Sequence, residues 1–370
     1  MDITLFGMIA HYRGCHAHTF TWIRINYKQH FMKKTGYIAI VGRPNAGKST
    51  LLNALIGEKV SAISHRPQTT QRSIPGILTD ETKGYQMIFL DTPGIHEYSK
   101  EQFGSQKSHD IHERINTEAY ASLSQADVII RLLDPTRGYG AEDERIDAIL
   151  ESIKTPTIRV ETKQDIIEAD TLGKIKDKKN QIQKGNWDLI DGNLQVHGGK
   201  SEREFFHHDN VDICIDSTSK KGFDSLLEKI LGHLPEGEFL YPSDYYTDQS
   251  MDLRIGEVIR EQLFLELGEE IPYACFVEVT QMEEKRGEGK NSKDMLSIQA
   301  YINVEAESQK IIVIGKGGAK IGEIGTKSRL LLEEIFGKKV FLALRVKVVK
   351  NWRKNEKVLE KIFPRKTVER

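Results

Sequence analysis

The chain has 370 residues, 38% hydrophobic and 29% charged, with a net charge of −1. That length and charge density indicate a globular chain of about two domains, and no stretch reaches the ~18–20 apolar residues of a membrane-spanning helix. Cys15, Cys214 and Cys275 are too few and too scattered for a disulfide framework or a zinc site, so a reducing cytoplasm is the expected setting.

In chain order, residues 1–31 hold His11, His16, His18 and His30 with little periodicity, before Met32-Lys-Lys-Thr leads into the first apolar run. The expectation is an extension over 1–34, disordered or preceding a natural start at Met32, with no metal held by its histidines. Arg13, Arg24 and Lys28 against Asp2 allow a transit peptide, but the segment is neither serine-rich nor cleanly amphipathic.

Tyr37-Ile-Ala-Ile-Val41 then precedes Gly42-Arg43-Pro44-Asn45-Ala46-Gly47-Lys48-Ser49, the pattern G-x-x-x-x-G-K-[ST], and a helical pattern runs to Leu55. Strand, glycine turn and helix in this order let backbone N–H groups curl around a phosphate chain, and the helix N-terminus adds partial positive charge. Lys48 is placed for the β- and γ-phosphates and Ser49 for Mg²⁺, so the substrate class is a nucleoside triphosphate.

The polar segment 61–72 reads as a loop. Strands are expected at 74–78 and 86–90, the second ending in Asp91-Thr92-Pro93-Gly94. A carboxylate at the end of a strand beside the phosphate-loop strand is placed to hold Mg²⁺ through water, and Gly94 lets a backbone N–H approach the γ-phosphate. Strands at 128–133 and 157–160 with a helix over 141–153 complete a βα alternation, which means a parallel sheet wrapped by helices. Thr162-Lys163-Gln164-Asp165 and Ser217-Thr218-Ser219 follow the strands at 157–160 and 211–215, at the strand ends where open α/β sheets bind ligands. The polar stretch between Ile166 and Asn210 holds a helix and a surface insertion within about 170–208, with no chemistry assigned to it.

These four segments resemble the G1, G3, G4 and G5 boxes of translation-factor-type GTPases. The resemblance implies GTP and GDP as ligands. Asp165 would accept hydrogen bonds from the guanine N1–H and amine, the Lys163 stem would lie on the ring, and a G5 backbone N–H would meet guanine O6. Two positions depart from the pattern: Thr162 stands for the usual Asn, and Thr218 for the usual Ala. The Thr162 hydroxyl can still bond the phosphate loop. Ile95 occupies the place where Ras-like enzymes carry a water-orienting glutamine, so hydrolysis needs another device. In GTPases with a similar loop, an asparagine at the Asn45 position helps hold K⁺ near the phosphates; a plain turn-stabilising role is the other reading.

The stretch 234–249, with two prolines and acidic and aromatic residues, reads as an extended linker. A helical pattern then carries Leu253, Ile255, Val258, Ile259, Leu263 and Leu267, followed by strands at 273–280 and 295–303. Ile314-Gly315-Lys316-Gly317-Gly318, with Lys320 two residues on, lies between two helical patterns and matches the G-x-x-G loop of a KH domain, which clamps about four nucleotides. From Ala306 onward there are 17 Lys and Arg against 7 Asp and Glu, net +10, leaving −11 for the remainder. A basic module on an acidic body points to a polyanionic partner.

The whole arrangement, with Pro67-Gln-Thr-Thr70, Tyr241-Pro-x-Asp244, Ile271-Pro-Tyr273 and Val346-Lys-Val-Val-Lys350, resembles the Era family of bacterial ribosome-assembly GTPases. The resemblance implies a P-loop GTPase domain followed by an α+β type II KH domain. It implies binding near the 3′ end of small-subunit ribosomal RNA during 30S maturation, a monomer, and peripheral contact with the inner membrane face. It also implies that Thr69 or Thr70 meets Mg²⁺ beside Ser49 and Asp91, which puts Lys48, Thr69, Thr70, Asp91 and Gly94 in the catalytic set. The expected domains are a GTPase unit at 35–234, a linker at 235–248, a KH unit at 249–353 and a basic tail at 354–370. Two other functions compete: an RNA-binding protein with a structural, inactive G domain, which intact Lys48, Ser49 and Asp91 disfavour, and an ATP-using P-loop protein, which Asp165 disfavours.

Overall fold

The computed structural model describes residues 4–10, 20–26, 32–62, 74–92, 111–167, 187–190, 193–196, 208, 210–267, 271–285 and 294–363. Thr69, Thr70, Pro93, Gly94 and Ile95 lie outside the described residues. The first unit is built on a six-stranded sheet. Its strands are β3 (Lys34–Val41), β4 (Ile74–Asp80), β5 (Tyr85–Asp91), β6 (Val128–Leu133), β7 (Thr157–Glu161) and β10 (Ile213–Cys214), in the order β10-β7-β6-β3-β5-β4. Every pairing is parallel except β4 with β5. Strands β5 and β6 are buried along their whole length. This is the continuous apolar run required when helices cover both faces of a sheet.

Helices α1 (Lys48–Ile56) and α4 (Phe223–His233) cover one face, where Leu51, Leu52, Leu226 and Ile230 pack on Ile38, Ile40 and Phe89. Helices α2 (Ile111–Gln125) and α3 (Ala141–Glu151) cover the other, where Ala119, Leu123 and Ile146 meet Ala39, Val41 and Ile129. The strand expected over 211–215 is only two residues long. The expected extension at 1–34 contains a ladder: β1 (Thr4–Ala10) pairs antiparallel with β2 (Phe20–Asn26). Both strands are rich in aromatic and β-branched residues, which favour extended backbone. Within the insertion, β8 (Trp187–Ile190) and β9 (Asn193–Val196) form a second hairpin.

The linker stretch is extended and docked along the sheet. Gln86, fully buried, donates to the Tyr241 carbonyl at 2.8 Å and accepts from the Leu240 and Tyr241 N–H groups. Thr247 donates to the Pro75 carbonyl at 2.8 Å.

The second unit runs α5 (Met251–Glu266), β11 (Cys275–Lys285), β12 (Met295–Val304), α6 (Glu307–Ile314), α7 (Ala319–Phe336), β13 (Lys339–Val348). Strand β12 pairs antiparallel with β11 and parallel with β13. A parallel neighbour needs a crossover, and α6–α7 supply it. Ile255, Ile259 and Leu263 of α5 join Ile298, Ile302, Ile324 and Leu332 in one core. Helix α8 (Glu356–Ile362) ends the described chain. The two units touch: Lys59 pairs with Glu261 at 2.8 Å, Arg114 of α2 pairs with Glu356, and Ile115 is buried with Trp352 and Leu359. Among the described residues, no helix is long and apolar enough to cross a membrane.

Candidate functional site

Strand β3 ends at Val41 and the chain turns through residues 42–47 into α1. Asn45 and Gly47 adopt φ of 63° and 95°, the left-handed region that glycine and asparagine enter most readily. The turn is closed from inside by Lys48, whose Nζ donates to the carbonyls of Gly42 and Arg43 at 3.0 and 2.9 Å. Burial pushes the Lys48 ammonium down to about 8, with Asp91 acting in the opposite sense and Arg131 in the same one. A cation held this way, beside the first turn of a helix, is set to gain most from an arriving anion.

Asp91 ends β5, is fully buried, and accepts a hydrogen bond from Ser49 on α1 at 2.7 Å. The adjacent Thr92 hydroxyl donates to the Ile40 carbonyl at 2.6 Å, tying the end of β5 to β3. A hydroxyl and a carboxylate brought together beside Lys48 form a hard-oxygen donor set, the chemistry that suits Mg²⁺.

At the end of β7, Thr162 is buried and its Oγ lies 3.0 Å from the Ala46 carbonyl and 3.2 Å from that of Leu133. Lys163 follows with φ of 59°, and its Nζ meets Asp134 at 2.5 Å. Burial works to raise the Asp134 pKa, but hydrogen bonds from Lys163 and Thr136 outweigh it and hold the carboxylate below its ordinary range. Gln164 donates to Glu161 at 2.8 Å, and Asp165 is exposed. Beside β7, Asp216, two residues past β10, folds the next residues into a turn: it accepts from the Thr218 N–H at 2.7 Å and from the Ser219 hydroxyl. The structure therefore brings Gly42–Ser49, Asp91, Thr162–Asp165 and Ser217–Ser219 to one edge of the sheet, at the C-terminal ends of its parallel strands.

Sequence reasoning missed the groups that hold this edge. Arg43 pairs with Asp143 of α3 at 2.7 Å and donates to the Gly138 carbonyl at 3.0 Å. Asp143 also meets Arg131 at 2.8 Å, and Arg131, fully buried, reaches Asp147 at 2.9 Å. Tyr139 donates to Asp147 at 2.9 Å. A chain of alternating buried charges thus runs from the phosphate loop into α3. Arg131 interrupts the otherwise apolar run Val128-Ile-Ile-Arg-Leu-Leu133, and that anomaly was its available signal.

In the second unit, Gly315, Gly317 and Gly318 all have positive φ between α6 and α7. A Cβ on Gly315 would fall 2.7 Å from Lys320 Cβ, whereas one on Gly317 or Gly318 would meet nothing within 4 Å. The first glycine is required by packing; the other two leave the turn open to an approaching backbone. Beside it lies a groove of about 430 Å³ whose lining includes Leu267, Ile312, Lys316 and Lys320 together with the carboxylates of Glu266 and Glu323. Lys316 is exposed, while Lys320 is tied to Glu323 at 3.0 Å and Glu266 at 3.5 Å. Ile314, half-buried, is the last residue of α6.

Residues 37–163 match a family described as 50S ribosome-binding GTPase, and residues 270–353 match the KH domain. A GTPase Era of Thermoanaerobacter sp. (strain X514) is 38% identical over 329 residues, covering 89% of this chain and 96% of the relative. The chain belongs to the GTPase Era family. It is accordingly a GTPase. Era of Treponema denticola is 37% identical over 328 residues, covering 89% of this chain and 99% of its own. A crystal structure of Era with MgGDPNP and nucleotides 1506–1542 of 16S ribosomal RNA superposes with a TM-score of 0.70 at 34% identity, covering 90% of this chain and 99% of that one. A tyrosine-to-alanine variant of Aquifex aeolicus Era bound to GDP·AlF4⁻ gives 0.69 at 35% identity, with the same coverage. The Era architecture thus accounts for both units seen here, the P-loop sheet and the αββααβ module.

Proposed function

We propose that this chain is a GTP-hydrolysing switch that binds single-stranded ribosomal RNA through its KH unit and assists assembly of the small ribosomal subunit. The observation that carries the reading is the convergence of Gly42–Ser49, Asp91 and Thr162–Asp165 on one sheet edge, in a chain that also holds the open G-x-x-G turn. The Era relative crystallised with MgGDPNP and 16S ribosomal RNA supports it.

In this reading the residues 42–47 wrap the phosphates and Lys48 neutralises their charge. Ser49 and Asp91 hold Mg²⁺, together with Thr69 or Thr70; the hard-oxygen pair Ser49–Asp91 fits that ion. When bound, Mg²⁺ offsets charge on the phosphate oxygens. Asp165 selects guanine over adenine, because only guanine offers two donors to one carboxylate. Lys163, steadied by Asp134, lies along the base, Gln164 spaces the two, and the Ser217–Ser219 turn, whose Thr218 N–H is held by Asp216 at 2.7 Å, is the segment assigned to guanine O6. Thr92, Pro93 and Gly94 complete the nucleotide-binding set, with the Gly94 backbone N–H assigned to the γ-phosphate. With Ile95 in place of a water-orienting glutamine, intrinsic turnover would be slow, and Asn45 would help hold a K⁺ ion whose charge would offset part of what is missing.

Lys316 and the backbone of 315–318 clamp the RNA phosphates, Ile312 and Lys320 line the base groove, and Ile314 adjoins the turn as the last residue of α6. The proposed division places the GTPase unit at 35–234 and the KH unit at 249–353. The protein acts as a monomer in the cytoplasm with peripheral contact to the inner membrane face, a part of the reading that rests on family resemblance.

Labelled GTP and ATP binding to the parent chain and to Asp165→Asn tests the nucleotide assignment. The parent should prefer GTP strongly, and the variant should lose most of that preference. Unchanged selectivity in Asp165→Asn overturns it.

A further inference from the structure

Ser49 and Asn53 stand four residues apart on α1 and so share one face of the helix. Ser49 reaches Asp91 directly. Asn53 reaches the segment that follows the helix: its Oδ1 accepts from the N–H groups of Val60 and Ser61, and its Nδ2 donates to the Ser61 carbonyl, all at 2.8 Å. The side chain of Ser61, itself 1% exposed, then donates to Asp91 Oδ2 at 2.7 Å, the same oxygen that Ser49 meets. The contacts close a ring through α1, Ser49, Asp91, Ser61 and Asn53.

A carboxylate at the end of a strand is free to swing about its terminal torsion unless its oxygens are held. Two hydroxyl donors from two different segments, converging on one oxygen, fix the plane of Asp91. Losing such an outer contact typically costs about 10–100-fold in metal affinity. We propose that Ser61, itself anchored by Asn53, is a positioning residue for Mg²⁺, acting by orienting the carboxylate of Asp91. The inference rests on the assignment of Ser49 and Asp91 to Mg²⁺ made above.

The test is retention of a fluorescent GDP by the full chain, followed as Mg²⁺ is titrated from an EDTA-treated start. Ser61→Ala and Asn53→Ala should each raise the Mg²⁺ midpoint about tenfold, while GDP affinity in EDTA stays within about twofold of the parent's. The EDTA arm also reports folding, since a variant that lost the site would fail there first. An unshifted midpoint in Ser61→Ala overturns the inference. So does a loss of GDP affinity that is equal in EDTA and in Mg²⁺, which makes the contact a general packing element. If the parent itself retains GDP independently of Mg²⁺, the Ser49–Asp91 assignment falls and this inference with it.

Discussion

Thr162 on β7 and Ala46 in the phosphate loop are joined side chain to backbone, hydroxyl to carbonyl, at 3.0 Å. The base-recognition segment is thereby pinned to the phosphate-binding turn across 116 residues of sequence. Thr162→Val keeps the shape and removes the hydroxyl. It should weaken GDP and GTP by about fivefold, roughly 1 kcal/mol for one neutral hydrogen bond. Thr162→Ser should stay near the parent. Titration calorimetry of the three proteins checks this.

Lys48 leads to a pH prediction. Its folded pKa of about 8 lies below the ordinary 10.5, so the folded protein binds fewer protons than the unfolded chain between those values. Stability contributed through this group therefore rises with pH across that window. Nucleotide phosphates reverse the shift by restoring the ammonium. Near pH 8.5 GDP binding should take up a fraction of a proton, and near pH 6.5 almost none. Calorimetry in buffers of different ionisation enthalpy reads the uptake, which should vanish in Lys48→Met if any GDP binding remains to be measured.

The buried charges behind the phosphate loop predict a stability effect. Arg131→Met removes the buried guanidinium between Asp143 and Asp147, leaving the first with Arg43 and the second with Tyr139 and Arg159, and should cost about 3 kcal/mol in urea unfolding. Pairing it with Asp147→Leu should return part of that loss, because the remaining carboxylate still has Arg43.

Cation dependence tests the device that replaces glutamine. GTP turnover should be faster in K⁺ than in Na⁺ at equal ionic strength. Because Asn45 sits at φ 63°, Asn45→Gly removes the amide without straining the backbone. It should erase the difference between the two salts while leaving GDP affinity close to the parent's.

For the second unit, Lys316→Asp with Gly317→Asp places two carboxylates on the exposed turn. Aspartate tolerates the positive φ of Gly317 better than most residues, so the fold should survive. Single-stranded RNA binding should fall by an order of magnitude or more, and its logarithmic salt slope should become shallower by about 0.7 for each phosphate that the variant no longer neutralises. GTP binding should be unchanged. Filter binding at two or more salt concentrations measures all three.

Much of this molecule was legible in residue order. An apolar run, a glycine turn and Lys48-Ser49 are local patterns with local causes, and so are the strand ending at Asp91 and the three glycines after Ile314. The chemistry of nucleotide and phosphate-backbone binding could be read from them because backbone geometry over a few residues decides whether N–H groups can converge. Even the substitution of Thr162 for asparagine could be judged from its hydroxyl alone. The supporting contacts could not. Asp134 beneath Lys163, Asp143 between Arg43 and Arg131, and Ser61 against Asp91 are pairs separated by 12 to 100 residues whose partners are chosen by sheet order and helix docking. Nothing local marks an aspartate in α3 as the partner of an arginine in the phosphate loop. Only the packing of α3 over β6 excludes water from both and leaves each charge the other as its way of being buried.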